Sequence, residues 1–249
     1  AVTHMPNSIS SHERTDNDQK VVDHFNQSDA GWVQASEMVK AQKELSDAKL
    51  EMIEVSFERL SRDNVDEAKK MMDEVFALEK GLAGRDLESQ IYPDRHTDIA
   101  HGTEINKNYW IVKNEVGEMI GITGFSGFED DKAEHCWIGW FGLKPGIRGG
   151  DLGAQLLDKI MQEAITQGKT EMYTITSDHQ DMAGNAKFYH QNGFPIVTVL
   201  DQRGAHRGMG SEKLSQPMVR KMQEDYAGFV ETGVNIFIRH RELKQQNAI

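Results

Sequence analysis

A basic, glycine-rich loop lies between a strand-like run and a strong helical pattern. The segment Leu143–Leu157 reads LKPGIRGGDLGAQLL, in which a proline ends the strand and apolar residues then recur at the helical period. Successive backbone N–H groups in such a loop, together with the helix dipole, form a site for an anion. Arg148 adds a charged donor. This geometry suits a pyrophosphate, although a tight strand-to-helix turn would use the same glycines.

A second segment, Asn185–Phe194, carries an aromatic pair near the end of a short predicted helix. Phe188 and Tyr189 come before Gly193, which is typical of a helix C-terminus. Phe194 follows as a candidate core residue. The pattern predicts that the aromatic pair is held at a defined helix end.

Together the two segments resemble the GNAT superfamily of acyl-CoA-dependent N-acetyltransferases. The family's first signature is a strand, an Arg/Gln-x-x-Gly-x-Gly/Ala loop and a helix, and residues 148–153 match it except that Asp151 replaces the first glycine. The second signature is a helix that ends in Phe-Tyr-x-x-x-Gly-Phe, as residues 188–194 do. The spacing and the strand order also agree, and the resemblance covers about Met52–Leu243.

The resemblance implies an α/β (α+β) fold with a single mixed, mostly antiparallel central sheet flanked by helices. It also implies acetyl transfer from acetyl-CoA to a primary amine of a small molecule or peptide, by direct attack in a ternary complex. Pantetheine would lie against the fourth strand, where a backbone N–H would polarise the thioester carbonyl. The residues implied for acetyl-CoA binding are Phe141, Gly142, Leu143, Arg148, Gly149, Gly150, Asp151, Leu152, Gly153, Ala154 and Asn185.

Tyr189 is the residue that the resemblance implies as the acid, because a phenol near the sulfur could protonate the leaving CoA thiolate. The alternative is a half-buried helical tyrosine with its hydroxyl in water. Two positions depart from the family. Asp151 brings a negative charge near the pyrophosphate, and we expect its carboxylate to face solvent or to cap the helix. Met182 stands where the family often has an asparagine, and Asn185 is the candidate substitute.

The general base has two candidate pairs. Glu134 and His135 lie at the start of the predicted fourth strand, where related enzymes often carry a base. Adjacent strand residues point to opposite faces, so at most one of them reaches the acceptor directly. A histidine titrates in the more suitable range. Asp178 and His179 form the second pair, and a chain of water molecules would need no dedicated residue.

The elements that must position these residues are predicted to form one sheet, in an α/β or α+β arrangement. Apolar alternation and turn residues indicate strands at Met52–Leu60, Tyr109–Lys113, Glu118–Phe128, Ala133–Leu143, Thr170–Thr176, Pro195–Leu200 and Asn235–Arg239. Helical patterns follow Asp63, Asp151 and Met182. A long insertion, residues 201–233, separates the last two strands and is predicted to hold a helix from about Gln216 to Val230.

Residues 1–50 are predicted to be a polar arm and helical extension, and residues 51–249 the acetyltransferase domain. Ser28 is the candidate N-cap of a helix that extends to Leu50. Two interpretations of the extension stay open: it packs on the main domain or on a second subunit, or it is a loosely attached tail. A homodimer would form through this extension or through the insertion.

The composition narrows the class of protein. Lys and Arg number 28 against 40 Asp and Glu, and the net charge of −12 argues against binding to nucleic acid. The single Cys136 excludes an internal disulfide framework and fits a cytoplasmic location, and no His cluster has metal-ligand spacing. No apolar run is long enough to span a membrane. The acidic residues Glu88, Asp94, Asp98 and Glu104 suit a cationic acceptor, or they are simply solvated.

Two other functions remain open. Asp151 and Met182 also suit a GNAT-like module that binds or senses acyl-CoA without efficient catalysis. Transfer of an acyl group other than acetyl is equally compatible with the sequence.

Overall fold

The structure is a computed structural model that describes residues 19–31, 53–96, 104–129, 131–147, 151–179, 183–200, 206–208 and 233–244. In chain order the helices and strands are α1 (residues 19–31), β1 (Ser56–Arg59), α2 (Val65–Val75), α3 (Leu82–Ser89), β2 (Glu104–Lys113), β3 (Met119–Phe128), β4 (His135–Ile138), β5 (Gly142–Leu143), α4 (Leu152–Thr166), β6 (Glu171–Ser177), α5 (Ala183–Gln191), β7 (Ile196–Leu200), β8 (His206–Gly208) and β9 (Ile236–Glu242).

The strands form one sheet in the order β1-β2-β3-β4-β6-β9-β7-β8, and β5 pairs with β3 beside that path. Strand pairing is antiparallel in the described registers except between β4 and β6, which run parallel. Helix α4 supplies the crossover that a parallel pair needs. The predicted fold class, a single mixed and mostly antiparallel sheet flanked by helices, is confirmed.

The chain divides into two compact units. Most of the residues predicted to form the site belong to the unit made of Glu44–Thr174 and Arg241–Ile249. Alternate residues of β2 enter opposite sides of this unit's core, as the pleat requires. Tyr109 and Ile111 pack in a cluster with residues of α2 and α3. Val112 packs on the other side, in a cluster with Leu156 of α4.

The other unit comprises Ala1–Lys43 with Ile175–His240, and within it helix α1 packs on β7 and β9. Val22 shares a buried cluster with Ile196, Val199 and Phe237. The rings of Phe25 and Phe237 lie 4.9 Å apart between centroids. Apolar contacts therefore hold this part of the N-terminal extension.

One side-chain amide adds directional contacts to the α1 packing. Asn26 donates a hydrogen bond to the Ile196 carbonyl at 3.0 Å and accepts one from the Ile196 N–H at 2.9 Å. The prediction that a helix begins at Ser28 is wrong, because residue 28 lies inside α1. Residues 32–50 lie outside the described residues.

Part of the insertion between the last two predicted strands pairs with the sheet. Strand β8 runs antiparallel to β7, with Leu200 opposite His206 and Thr198 opposite Gly208. The helix predicted from about Gln216 to Val230 lies outside the described residues.

Candidate active site

A bulge interrupts the strand that was predicted as one continuous run, Ala133–Leu143. Phe125 of β3 pairs with Ile138 of β4, whereas Ile122 pairs with Gly142 of β5, so this strand has one more residue than β3 between the two pairs. The additional residue falls at Trp140–Phe141. An inserted residue leaves the regular ladder and redirects side chains, which is why bulges are frequent beside active sites.

The side chain of Tyr109, in β2, contacts the backbone of the bulge and stabilises it. Its hydroxyl oxygen accepts a hydrogen bond from the Trp140 backbone N–H at 3.1 Å. A Cβ atom at Gly139 would collide with this hydroxyl, and one at Gly124 would collide with the ring. Burial raises the pKa of Tyr109 far above its usual value, so the phenol stays neutral. Two glycines and one tyrosine thus define the path of the bulged strand.

The Trp140 side chain is held on the side of the sheet that α2 and α3 cover. Its indole N–H donates to the Asp86 carboxylate at 2.6 Å, and its ring lies 4.8 Å from the Phe76 ring. Phe141, the next residue, packs instead with the cluster that contains Leu143 and Leu156. The bulge therefore presents aromatic side chains to both sides of the sheet.

The pairing between β4 and β6 is short. It joins three residue pairs and ends at Trp137 with Tyr173, although β6 continues to Ser177. Beyond the bulge, Lys144 donates its N–H to Ile120 of β3. Because alternate residues of a strand direct their backbone groups to opposite edges, Leu143 directs its backbone groups away from β3. Gly142 pairs with Ile122 of β3, so its backbone groups point to β3. Of the three residues predicted to contact pantetheine, it is therefore the least suitable.

The N-terminus of α4 follows this strand closely. Residues 148–150 of the predicted loop lie outside the described residues, and Asp151 is the N-cap of α4. Asp151 is exposed and its carboxylate forms no capping hydrogen bond, so of the two predicted positions it faces solvent. The first intrahelical bond is from Gln155 N–H to the Asp151 carbonyl. Helix geometry therefore leaves the N–H groups of Leu152, Gly153 and Ala154 without intrahelical acceptors.

A buried polar cluster occupies the start of β4. The Asp131 carboxylate lies 2.9 Å from His135 Nδ1 and accepts a hydrogen bond from Trp137 Nε1 at 2.8 Å. Burial by itself raises the pKa of Asp131, but the hydrogen bonds from His135, Trp137 and the Lys132 N–H outweigh it and hold the pKa below its usual value. An ionised Asp131 must accept from Nδ1–H, which leaves the lone pair of His135 on Nε2.

The two adjacent base candidates have different surroundings. The His135 side chain is 4% exposed and its ring lies 5.1 Å from the Tyr173 ring. Glu134 is exposed in the preceding turn, and its carbonyl accepts the Thr170 N–H. Asp131, which fixes His135, is not among the site residues predicted from the sequence. The sequence signal that could identify Asp131 is a carboxylate that comes four residues before a strand histidine and is separated from it by a turn.

Asp178, the first residue of the second candidate base pair, has a structural role. Both oxygens of Asp178 accept hydrogen bonds from Asn235, one from the backbone and one from the side chain, at 2.8 and 2.7 Å. Asp178 therefore fixes the entry into β9. His179 donates its N–H to the Ser177 hydroxyl at 3.4 Å.

The C-terminus of α5 explains the aromatic–glycine pattern in physical terms. Gly193 has a φ of 78°, and the Phe194 N–H donates to the Tyr189 carbonyl while the Gly193 N–H donates to the His190 carbonyl. This is the Schellman arrangement, in which an apolar residue after the glycine packs back on the helix. The Phe194 ring meets the Tyr189 ring edge-on at 5.7 Å. Tyr189 is 7% exposed, and Asn185 is half-buried on the same helix.

The four acidic residues that suit a cationic acceptor have different surroundings. Glu88 is buried and bound by Lys69 at 2.6 Å and by His96 at 2.7 Å, and the hydrogen bond from Lys69 is the main reason that its pKa is lowered. Asp94 is exposed, and Asp98 lies outside the described residues. Glu104 is near Lys107 and lines a cavity of about 350 Å³ between β1, the segment after α3 and β2. Among Glu88, Asp94 and Glu104, the three that the structure describes, only Glu104 borders this cavity.

Cys136 is fully buried, as expected for a small core residue, and burial raises the pKa of its thiol to about 12. In the described part of the chain, no group of three or more His, Cys, Asp or Glu side chains is placed to hold a metal ion. None of the described helices is long and apolar enough to cross a membrane.

Similarity to known proteins agrees with this arrangement. The model of the Acetyltransferase (GNAT) family matches residues 75–194. No curated protein matches the sequence significantly. Among solved structures, a protein assigned to the GNAT family from Desulfovibrio desulfuricans has 15% identity and a TM-score of 0.53, over 77% of this chain and 100% of its own. A protein proposed to be a phosphinothricin N-acetyltransferase has 12% identity and a TM-score of 0.51, with the same coverage.

The matched segment contains the bulged strand, α4, the parallel pair β4–β6 and the Tyr189–Phe194 helix end. The sequence match and the shared sheet topology lead to one conclusion: residues 75–194 are similar to the Acetyltransferase (GNAT) family, and the chain has the fold of solved proteins of that family.

Proposed function

We propose that this chain transfers the acetyl group of acetyl-CoA to the primary amine of a small molecule or peptide. The observation that carries the proposal is the bulge at Trp140–Phe141, which lies where the β4–β6 pairing has ended and leads within a few residues to α4. This combination provides backbone groups for an extended ligand and a helix N-terminus for an anion. Acetyl-CoA carries both parts, a pantetheine amide chain and a pyrophosphate.

The chain's own groups suit acetyl-CoA in two places. The N–H groups of Leu152, Gly153 and Ala154, with the positive end of the α4 dipole, would bind pyrophosphate oxygens. The exposed carboxylate of Asp151 forms no capping bond, so it does not occupy these donors. Phe141, Gly142 and Leu143 stay proposed ligands of the pantetheine amides on the resemblance, which places pantetheine against this strand. Arg148, Gly149, Gly150 and Asn185 stay proposed ligands on the resemblance alone.

The reaction would consist of one addition and one elimination. The amine nitrogen attacks the thioester carbonyl carbon, a C–N bond forms, and the C–S bond then breaks to release CoA. We assign His135 as the base that takes the amine proton through Nε2, directly or through one water. Asp131 orients the ring and stabilises the imidazolium that results. A cationic acceptor first loses one proton to solvent, and His135 takes the second as the neutral amine attacks. Tyr189 donates a proton to the departing thiolate. The imidazolium then loses its proton and the tyrosinate regains one through solvent, so charge and protons balance.

The acceptor is proposed to be cationic before it reacts. The net charge of −12 attracts cations over a long range. Glu104 borders the polar cavity between β1, the segment after α3 and β2, and it has one basic partner, Lys107. Glu88 already has three basic partners, Lys69, Arg95 and His96. We therefore expect Glu104, and not Glu88, to contribute to amine binding.

The experiment that tests the proposal combines binding with turnover. Calorimetric titration with acetyl-CoA, propionyl-CoA and CoA measures whether acyl-CoA binds and which acyl group is preferred. Release of free thiol is then followed with each acyl-CoA and a panel of mono-, di- and polyamines. Amine-dependent thiol release, fastest with acetyl-CoA, is the expected result. Tight binding without any release would favour the acyl-CoA-sensing alternative, and faster release from propionyl-CoA would favour another acyl group.

A further inference from the structure

A buried guanidinium joins the N-terminal helix to the end of α5. Arg239 of β9 has no exposed surface, and each part of its side chain has a partner. Nη2 lies 2.7 Å from an Asp29 carboxylate oxygen, Nε donates to the Thr176 hydroxyl at 2.9 Å, and Nη1 donates to the Phe194 carbonyl at 3.2 Å. Asp29 belongs to α1, which lies 210 positions earlier in the chain.

The Phe194 carbonyl is the informative partner, because the same residue holds Tyr189. The Phe194 N–H donates to the Tyr189 carbonyl at 2.9 Å, and its ring packs edge-on against the tyrosine ring. Phe194 thus lies between the guanidinium on one side and the tyrosine on the other. Burial lowers the pKa of Arg239, while electrostatic interactions with Asp29 and Tyr189 oppose that shift. Both side chains are buried, Arg239 fully and Tyr189 to all but 7% of its surface.

We infer that Asp29 and Arg239 act as a positioning pair for Tyr189, so that helix α1 is part of the support of the active site. The inference rests on the proposed function, in which Tyr189 protonates the CoA thiolate. Asp29 fixes the guanidinium, the guanidinium fixes the Phe194 carbonyl, and Phe194 fixes the position of the tyrosine ring. Neither Asp29 nor Arg239 lies within residues 75–194, the segment that matches the family.

A purely structural role for the pair is the weaker explanation. Val22, Phe25 and Asn26 already attach α1 to β7 and β9 through apolar packing and two amide hydrogen bonds. A buried ion pair adds little net stability compared with apolar residues of similar size, because both charges lose their hydration. Its hydrogen bonds are directional, however, and direction is what the placement of a catalytic phenol requires.

The test is a double-mutant cycle between Asp29→Asn and Tyr189→Phe, measured as kcat for thiol release with acetyl-CoA and the best amine. Asp29→Asn is expected to lower kcat about tenfold to a hundredfold, the cost of displacing a catalytic group by about 1 Å. Tyr189→Phe is expected to lower kcat by about 10²–10⁴-fold. In the Tyr189→Phe background, Asp29→Asn should cause almost no additional loss, since there is no hydroxyl left to position. The KM for acetyl-CoA should change by less than about twofold in each variant.

Two further variants separate positioning from stability. Thr176→Val removes the acceptor of Arg239 Nε and keeps the side-chain shape, so it provides the same test if Asp29→Asn does not fold. We expect it to lower kcat in the same direction. Phe25→Ala weakens the packing of α1 without touching the Asp29–Arg239 contact, and it should lower the melting temperature while kcat stays within about twofold of wild type at a temperature where the protein is folded.

The outcomes are distinguishable. A low kcat for Asp29→Asn and for Tyr189→Phe, with no further loss in the variant that combines them, supports the inference. Wild-type kcat in both Asp29→Asn and Thr176→Val overturns the inference, even if Tyr189→Phe is slow, and leaves the proposed function standing. Fully additive losses overturn it as well, because Asp29 would then act independently of the phenol. If Tyr189→Phe itself stays within about twofold of wild type, the proposed role of Tyr189 is wrong, and the inference falls with it.

Discussion

The hydroxyl of Tyr109 accepts a hydrogen bond from the backbone N–H of Trp140 at 3.1 Å, at the point where the β4–β5 strand carries its additional residue. A bulge removes a backbone N–H from the regular ladder, and a buried N–H without an acceptor is costly. The phenol supplies the acceptor from β2, which lies on the other side of β3. Gly139 and Gly124 leave the space that the ring needs. One buried side chain thus sets the shape of the strand that would face acetyl-CoA.

Tyr109→Phe tests this relationship through stability. The variant keeps the ring but leaves the Trp140 N–H without its acceptor, so we expect the free energy of unfolding to fall by about 1–3 kcal/mol. Urea denaturation at neutral pH measures the change. Tyr92→Phe is the matched control, because the Tyr92 ring is half-buried beside Arg95 and a surface change of this kind costs less than about 0.5 kcal/mol. Equal midpoints for Tyr109→Phe and wild type would contradict the account.

The free energy of unfolding at acidic pH should depend on Asp131. Its pKa is lower in the folded protein than its usual value, because the hydrogen bonds from His135 and Trp137 outweigh burial. A carboxyl of this kind stabilises the fold above its unfolded pKa, near about 3.9, and the stabilisation is lost as the pH falls through the lower, folded pKa. The stability difference between wild type and Asp131→Asn should therefore be constant above about pH 5 and shrink below about pH 4.

Chemical denaturation of both proteins at several pH values between about 3 and 7 measures this difference. A difference that stays the same over the whole range would mean that Asp131 does not change its pKa on folding.

The base is tested by a pair of neighbouring substitutions. His135→Gln should lower kcat/KM at neutral pH by about 10²–10⁴-fold, because no positioned group then accepts the amine proton. The deficit should shrink as the pH rises, since more of the amine is already unprotonated. Glu134→Gln is the comparison, and Glu134 is exposed in the turn before β4. If Glu134→Gln shows the pH-dependent loss and His135→Gln does not, the base has been assigned to the wrong residue.

The pyrophosphate site is tested by two cations of the same loop. Arg148→Ala should weaken acetyl-CoA binding about ten- to a hundredfold, the effect of one charged hydrogen bond to a phosphate. Lys144→Ala removes the same charge four residues earlier, but Lys144 is already paired with Glu74 and Glu118 at 3.2 and 3.3 Å. We expect its dissociation constant to stay within about twofold of wild type. Calorimetry measures both, and equal effects would mean that only net charge matters.

Much of the fold could be predicted because local signals were strong. Helix α4 spans Leu152–Thr166, where the apolar residues recur at the helical period and Gly168 follows. The end of α5 was predicted from Gly193, whose positive φ closes the helix as expected. The strands that alternate clearly, such as β3 at Met119–Phe128, also agree closely with their predicted ranges.

The parts that could not be predicted depend on distant partners. Alternation within Ala133–Leu143 cannot reveal an additional residue, because the bulge is defined only by the register against β3. Aspartate is common in turns, so the type of Asp131 does not indicate its contacts with His135 and Trp137, which are set by the fold. Arg239 was predicted to lie in a strand, but its burial depends on Asp29, which no local pattern connects to it.

The most direct test of acetyl transfer is the stoichiometry of products. Wild-type protein, acetyl-CoA and the best amine of the panel are allowed to react, and free CoA and acetylated amine are quantified together by mass spectrometry. The account predicts that one N-acetylated amine appears for each CoA released, and that neither product accumulates when the amine is omitted. Binding of acetyl-CoA with no acetylated amine, or CoA release that does not depend on the amine, would contradict it.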